Sequence, residues 1–263
     1  MNEADFLYEE IYRRYGNIKR ARGPFLYTAK GIRLTDLYQE GGKAILGWGS
    51  SDAFTQFKNV MNRGLTGSFN TDYTYRIGRA MDALLNSKRK TFILGSREEC
   101  KNASSSLGLE CTEYKPWLEE GIKWQEKDCI SFVPPLPWAE DICLLSIKDG
   151  IELKSSINTV RISGALAEAV SRNIYDLIQA LQEREEKEWF IYDTVVTKYW
   201  TRKGPYLYPK VNKESYKDFM LYCLDKGLVI SPDYDTPSLV PYSADKGVFK
   251  ALEKEPFIGT SKG

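Results

Sequence analysis

Gly95-Ser96 stands between an apolar run, Lys90–Leu94, and a helical one, Arg97–Leu107. Amides left open at a helix start can hold a phosphate or carboxylate, and Ser96 equally reads as an ordinary helix cap. Arg161 lies just ahead of Ser163-Gly164 at the entry to a long helix. Its guanidinium could fork onto an anion, pair with a nearby acid or face solvent. Lys101, Lys148 and Lys154 are the available amines of the middle segment, able in principle to form a Schiff base. The chain has no histidine, which excludes Ser–His and Cys–His nucleophile pairs and every zinc site that needs an imidazole. Acid–base work would fall to Asp, Glu, Lys, Tyr or Cys.

The charge balance narrows the partners. Lys and Arg number 37 against 36 acidic residues, so no electrostatic field draws the chain to nucleic acid. No apolar run approaches the roughly 20 residues that span a bilayer, and the acidic, amphipathic opening is unlike a secretory signal. Five cysteines, Cys100, Cys111, Cys129, Cys143 and Cys223, include no CxxC pair. Reduced structural thiols, a cytoplasmic location and no bound metal are therefore expected.

These groups need elements to position them. Residues 3–16 carry Phe6, Leu7, Ile11, Tyr12 and Tyr15 near one helical face. Residues 24–28 and 32–38 alternate as two strands about Lys30-Gly31. Helices are predicted over 52–62, capped by Ser51 or Asp52, and over 74–87. The runs CISFVPPLP and ICLLSI suit a small sheet, with Pro134, Pro135 and Pro137 stiffening the loop between them. Leu166, Val170, Ile174, Leu177 and Leu181 mark a long helix; the EREEKE run after it reads as a solvated last turn. WFIYDTVVTKYW and GPYLYP are predicted strands, NKESYKDFMLYCLDKG a helix stopped by Gly227, LVISP a strand and 245–253 a final helix. Aromatic side chains make up 13% of the chain; tyrosines at 199, 206 and 208 suit packing or an interface more readily than a stacked ligand.

The stretch GPFLYTAKGIRLTDLY, with Gly23, Leu26, Gly31, Arg33 and Asp36, followed by ILG at 45–47, resembles the opening of class III aminotransferases. These are pyridoxal-phosphate (PLP) enzymes of the glutamate-1-semialdehyde type. Trp48 stands where that family usually has His. RISGALAEAV (161–170) is similar to the entry of the family's interdomain helix, and YKDFMLYCLDKGLVISPDYDTPSLVPYSADKGVFKALE to its terminal elements. The resemblance implies an α/β fold: an α+β small domain with connecting helices from residues 1–87 and 161–263, and a reduced remnant of the PLP-transferase large domain from 88–160. It also implies a homodimer, and a phosphate contact at Gly95, Ser96, Arg161 and Ser163.

Catalysis does not follow from this ancestry. The family supplies an Asp-Glu strand end for the pyridine nitrogen and a lysine in a Gly-rich loop for the aldimine. Residues 88–160 contain neither motif and are too few for its seven-stranded domain. The expectation is an aminotransferase-like protein without catalysis or PLP, retaining a pocket for a small-molecule anion. The alternatives are a compact PLP-dependent aminotransferase and a regulatory or assembly partner of a full-length one.

Overall fold

The computed structural model describes residues 2–49, 52–67, 69, 71–118, 122–138, 142–153 and 155–258. The chain forms two compact units, named for their place along the sequence: an outer one from residues 1–50 and 184–263 and a central one from residues 51–183. The three helices predicted over 52–62, 74–87 and from 163 onward were expected with the outer segments; they belong to the central unit. Ser51 and Lys154 lie outside the described residues.

Helix α1 (Glu3–Tyr15) starts in a capping box, with the Asp5 amide donating to the Asn2 side chain at 2.7 Å, and ends at Gly16. Strands β1 (Ile18–Arg22), β2 (Phe25–Thr28) and β3 (Arg33–Asp36) follow as antiparallel neighbours. The central unit then supplies α2 (Asp52–Asn62), α3 (Tyr73–Leu85), β4 (Arg89–Leu94), α4 (Arg97–Ser106), β5 (Cys111–Glu113), β6 (Cys129–Phe132), β7 (Cys143–Lys148) and α5 (Gly164–Glu183). The chain returns to the outer unit with α6 (Lys187–Phe190), α7 (Asp193–Tyr199), β8 (Trp200–Lys203), β9 (Tyr206–Pro209), α8 (Lys213–Asp225), β10 (Leu228–Val229), β11 (Ser238–Leu239) and α9 (Lys250–Lys254).

In the outer unit β10 adds in parallel to β3, giving the order β1-β2-β3-β10, and β11-β9-β8 form a second, antiparallel sheet. Gly227, at φ 77, stops α8 and turns the chain directly into β10. The aromatic residues here are core. Phe219 is fully buried, with the Tyr199 ring at 5.3 Å and the Trp200 ring at 5.2 Å.

The strand predicted over WFIYDTVVTKYW is instead α6 and α7, and only its last residue, Trp200, enters β8. Tyr192, Val195, Val196 and Tyr199 are all buried and recur at i, i+3, i+4 and i+7. That helical stripe outweighs the β preference of adjacent valines.

The central unit carries the sheet β4-β7-β6-β5, with β7 antiparallel to both neighbours and β5 parallel to β6. Helix α5 packs with α2 and α3. Val170, Ile174 and Leu177 of α5 are fully buried, a burial that stabilises by about 1.5–3 kcal/mol for each such side chain. Arg89, buried at the start of β4, donates to the carbonyls of Lys127 at 2.7 Å and Trp124 at 3.0 Å. Its burial pushes the guanidinium pKa down.

Candidate functional site

The resemblance singled out Asp36 at the end of β3, and the structure makes it the anchor of a strained turn. Its carboxylate is buried. Oδ1 accepts the Gln39 amide at 2.8 Å and the Tyr38 amide at 3.0 Å, and Oδ2 accepts the Trp48 indole N–H at 2.7 Å. Desolvation still dominates these donors and lifts the Asp36 pKa to about 6.

The chain beyond Asp36 is left-handed for four residues, Gln39, Glu40, Gly41 and Gly42, at φ 48, 53, 63 and 92. Glycine adopts this region freely, whereas a residue with a Cβ is strained there by roughly 1–2 kcal/mol. Gln39 is held by its amide bond to Asp36 and by its own Nε2, which donates to the Asp36 carbonyl at 3.2 Å. The Glu40 carboxylate accepts the Tyr8 hydroxyl, and burial raises the Tyr8 phenol. The loop closes where Trp48 and Gly23 exchange two backbone bonds of 2.9 Å each. A Cβ on Gly47, itself at φ 99, would stand 3.4 Å from the Gly23 Cα, so glycine suits this close approach.

This turn forms one wall of a cavity of about 450 Å³ in the outer unit. Arg20 and Arg22, two apart on β1, line it opposite their cross-strand partners Tyr27 and Phe25 on β2. The Arg20 guanidinium lies 5.4 Å from the Tyr27 ring centre. Gln39 and Tyr242 complete the polar and aromatic lining. Among the described residues neither Arg20 nor Arg22 has a carboxylate partner, and no lysine lines the cavity.

Arg184 braces the lining residues Ile45, Leu46 and Tyr242. Its Nη1 donates to the Ile45 carbonyl at 2.9 Å and Nη2 to the Leu46 carbonyl at 3.3 Å, with the guanidinium 3.8 Å above the Tyr242 ring. The EREEKE run is solvated at Glu183, Glu185, Glu186 and Lys187, as expected, but from Arg184 onward it lies beyond the helix rather than in its last turn. Helix α5 ends at Glu183, and Arg184 ties two stretches of the outer unit together.

The residues foreseen for an anion lie in the central unit. Ser96 caps α4 by accepting the Glu99 amide at 3.1 Å, and the Glu99 carboxylate accepts the Gly95 amide at 2.9 Å. The chain's own acid thus sits at this helix start. Arg97 pairs with Glu113 at 2.6 Å. The Val160 amide donates to the Ile93 carbonyl at 2.9 Å, so the residues before α5 run beside the end of β4. Arg161 is exposed, and Ser163 accepts the Leu166 amide at 3.2 Å. A second cleft of about 450 Å³ is lined by Arg76, Arg79 and Arg172. Arg76 is bound to Glu168 at 2.9 Å, and Arg172 to Asp52 and Asp176 at 2.8 and 2.9 Å.

The arginines of β1 were not foreseen. Their signal was the alternation in IKRAR ahead of Gly23, hidden because that strand is mostly exposed and charged. Among the described residues no group of His, Cys, Asp and Glu is placed to hold a metal ion, and no helix is long and apolar enough to cross a membrane.

No protein-family model matches the chain. An uncharacterised protein of Treponema pallidum (strain Nichols) is 25% identical, over 88% of this chain and 91% of the relative. Another, from Borreliella burgdorferi, is 24% identical over 90% and 88%. Among solved structures, the ornithine δ-aminotransferase of Plasmodium falciparum superposes with a TM-score of 0.70 at 13% identity, over 96% of this chain and 97% of that one. The acetylornithine aminotransferase of Elizabethkingia anophelis gives 0.67 at 13%, over 96% and 97%. A glutamate-1-semialdehyde aminomutase from Pseudomonas aeruginosa PAO1, in complex with PMP, gives 0.61 at 10%, over 90% and 85%. The fold is α/β and aminotransferase-like.

Proposed function

We propose that this protein is a non-catalytic relative of the class III aminotransferases, acting as a homodimer that holds a small anionic ligand in the outer-unit cavity. The observation that carries this reading is that Arg20 and Arg22, which have no carboxylate partner among the described residues, line a cavity together with Tyr27 and Phe25, and no described lysine lines it. A guanidinium fork recognises carboxylate or phosphate, and flat side chains pack against the rest of such a ligand.

PLP is the group the fold suggests, and the residues present do not fit it. The Gly95 amide is taken by Glu99. Lys101 is exposed on α4, and Lys148 lies at the end of β7 opposite Arg89. The segment joining β6 to β7 carries three prolines and no lysine. The resemblance implies seven strands for the cofactor domain; the sheet of the central unit has four among the described residues. This supports the reading that most of that domain is absent.

Titration with PLP, followed by borohydride reduction and peptide mapping, tests the proposal. Expected is no aldimine absorbance and no reduced lysine adduct. Calorimetry with inorganic phosphate should show binding that weakens about tenfold or more in Arg20→Ala or Arg22→Ala, the loss of one charged hydrogen bond. A lysine-dependent aldimine band would sink the proposal. Native mass spectrometry should show a homodimer; a lone monomer would remove the dimer, and co-purification with a full-length aminotransferase would favour an assembly role.

A further inference from the structure

Four of the five cysteines meet in the core of the central unit. Cys100, Cys129 and Cys143 are buried together, and the half-buried Cys111 packs against them. All are reduced. Cys111 and Cys129 are more than neighbours, because they face each other in the register of the parallel β5–β6 pair. Adjacent strands run about 4.8 Å apart, inside the roughly 4.4–6.8 Å between Cα atoms that a disulfide tolerates. Strand β5 is a three-residue strand at the edge of the sheet, paired on one side only.

We propose that Cys111 and Cys129 are a thiol pair oxidised by hydroperoxides, with Cys111 the attacking sulfur and Cys129 the resolving one. Exposure assigns the roles. Cys111 is partly open, while Cys129 is fully buried and out of reach of an oxidant. Electrostatics agrees with that order. The Cys129 thiol donates to the Cys111 sulfur, Ser131 adds further donors, and together they lower the Cys111 thiol to about 6 despite its burial. The Cys129 thiol is correspondingly raised.

The Cys111 thiolate attacks the hydroperoxide. The O–O bond breaks, an S–O bond forms, and hydroxide or alkoxide leaves. The Cys129 sulfur then attacks the Cys111 sulfenic acid. The S–S bond forms, the S–O bond breaks, and the oxygen departs as water with the Cys129 proton. One peroxide is reduced and two thiols are oxidised. The remaining pair, Cys100 and Cys143, has both members buried, and the Cys100 thiol is raised by its hydrogen bond to Cys143 and by burial. It is therefore poorly placed to begin the reaction.

The test is hydrogen peroxide treatment of the full chain, followed by alkylation and non-reducing peptide mapping. Expected is the loss of two of the five thiols, a linked peptide joining Cys111 to Cys129, and full recovery with a dithiol reductant. Cys111→Ser should lose no thiol. Cys129→Ser should leave Cys111 as a sulfenic acid that dimedone captures, and Cys129→Ala serves if serine disturbs the core. The rate of Cys111 alkylation by iodoacetamide should rise with a midpoint near pH 6, below that of an ordinary thiol. The proposal is overturned if peroxide consumes no thiol, if the linked peptide joins Cys100 to Cys143, or if wild-type Cys111 proceeds to the sulfinic acid without a disulfide.

Discussion

The Trp48 indole N–H donates to Oδ2 of Asp36 at 2.7 Å, and through that bond the loop ending at Trp48 closes over the left-handed turn that carries Gln39. The other carboxylate oxygen holds the turn itself, through the Tyr38 and Gln39 amides. Thus one buried acid organises a cavity wall. Strain at Gln39 and Glu40 is retained where a glycine would relieve it, which is usual for a turn that must present a side chain.

Asp36 gives the fold a pH signature. Its pKa rises on folding from 3.8 to about 6, so its contribution is fully present below about pH 4 and is lost as pH rises through 6. The change corresponds to about 3 kcal/mol. Urea unfolding of wild type and Asp36→Asn, compared from about pH 4 to about pH 7, should show the wild type losing this advantage over the variant. Trp48→Phe removes a donor that favours the charged form, so its midpoint should lie higher still. A wild type that gains on Asp36→Asn with rising pH would show the three donors outweighing desolvation.

Gly164 is the first residue of α5, and there the absence of a side chain matters for space. A Cβ would meet the Tyr73 ring at 3.0 Å and the Thr71 hydroxyl at 3.3 Å. Gly164→Ala gains up to about 1 kcal/mol in helix preference and loses about 1–3 kcal/mol to overpacking. A net fall in the urea midpoint is expected, and a rise would mean that the ring moves aside without resistance.

The legible parts of the sequence were those governed by local rules. The two strands about Gly31, the Ser96 cap, the Val170–Ile174–Leu177 stripe and the Gly227 stop all depend on residues within a turn or two of each other. The α/β class came instead from the resemblance carried by the stretch around Gly23, Gly31 and Asp36. The cavity did not, because Arg20, Gln39, Arg184 and Tyr242 converge from four separate stretches. Arg184 is the clearest case: in an acidic run it looks solvated, and only the chain's return to the outer unit gives its guanidinium two carbonyls and a ring. The α7 error had a different cause, since Val195 and Val196 favour a strand until the buried positions Tyr192 and Tyr199 reveal the helical period.

The turn at Gly95 tests whether an anion site was ever available. Glu99→Ala removes the acid that accepts the Gly95 amide and should lower stability by about 1 kcal/mol, the usual worth of such a cap. Thermal unfolding with added phosphate should then raise the midpoint of the variant by more than that of the wild type, which gains only what the outer-unit cavity supplies. Equal gains in both would show that no anion enters at Gly95. Stabilisation of wild type alone would show Glu99 helping to hold the anion rather than competing with it.

Arg184→Lys separates charge from shape. Lysine keeps the positive charge but has no fork to reach the Ile45 and Leu46 carbonyls together and no flat face to lie 3.8 Å above Tyr242. The expected cost is about 1–2 kcal/mol, one net hydrogen bond plus part of a stacking contact. Because both carbonyls and the ring belong to the cavity wall, phosphate affinity measured by calorimetry should fall along with the urea midpoint. Arg184→Met, which keeps bulk and loses charge, should resemble the lysine variant rather than wild type. If the lysine variant binds phosphate normally while the methionine variant does not, Arg184 contributes its charge to the ligand and its geometry is incidental.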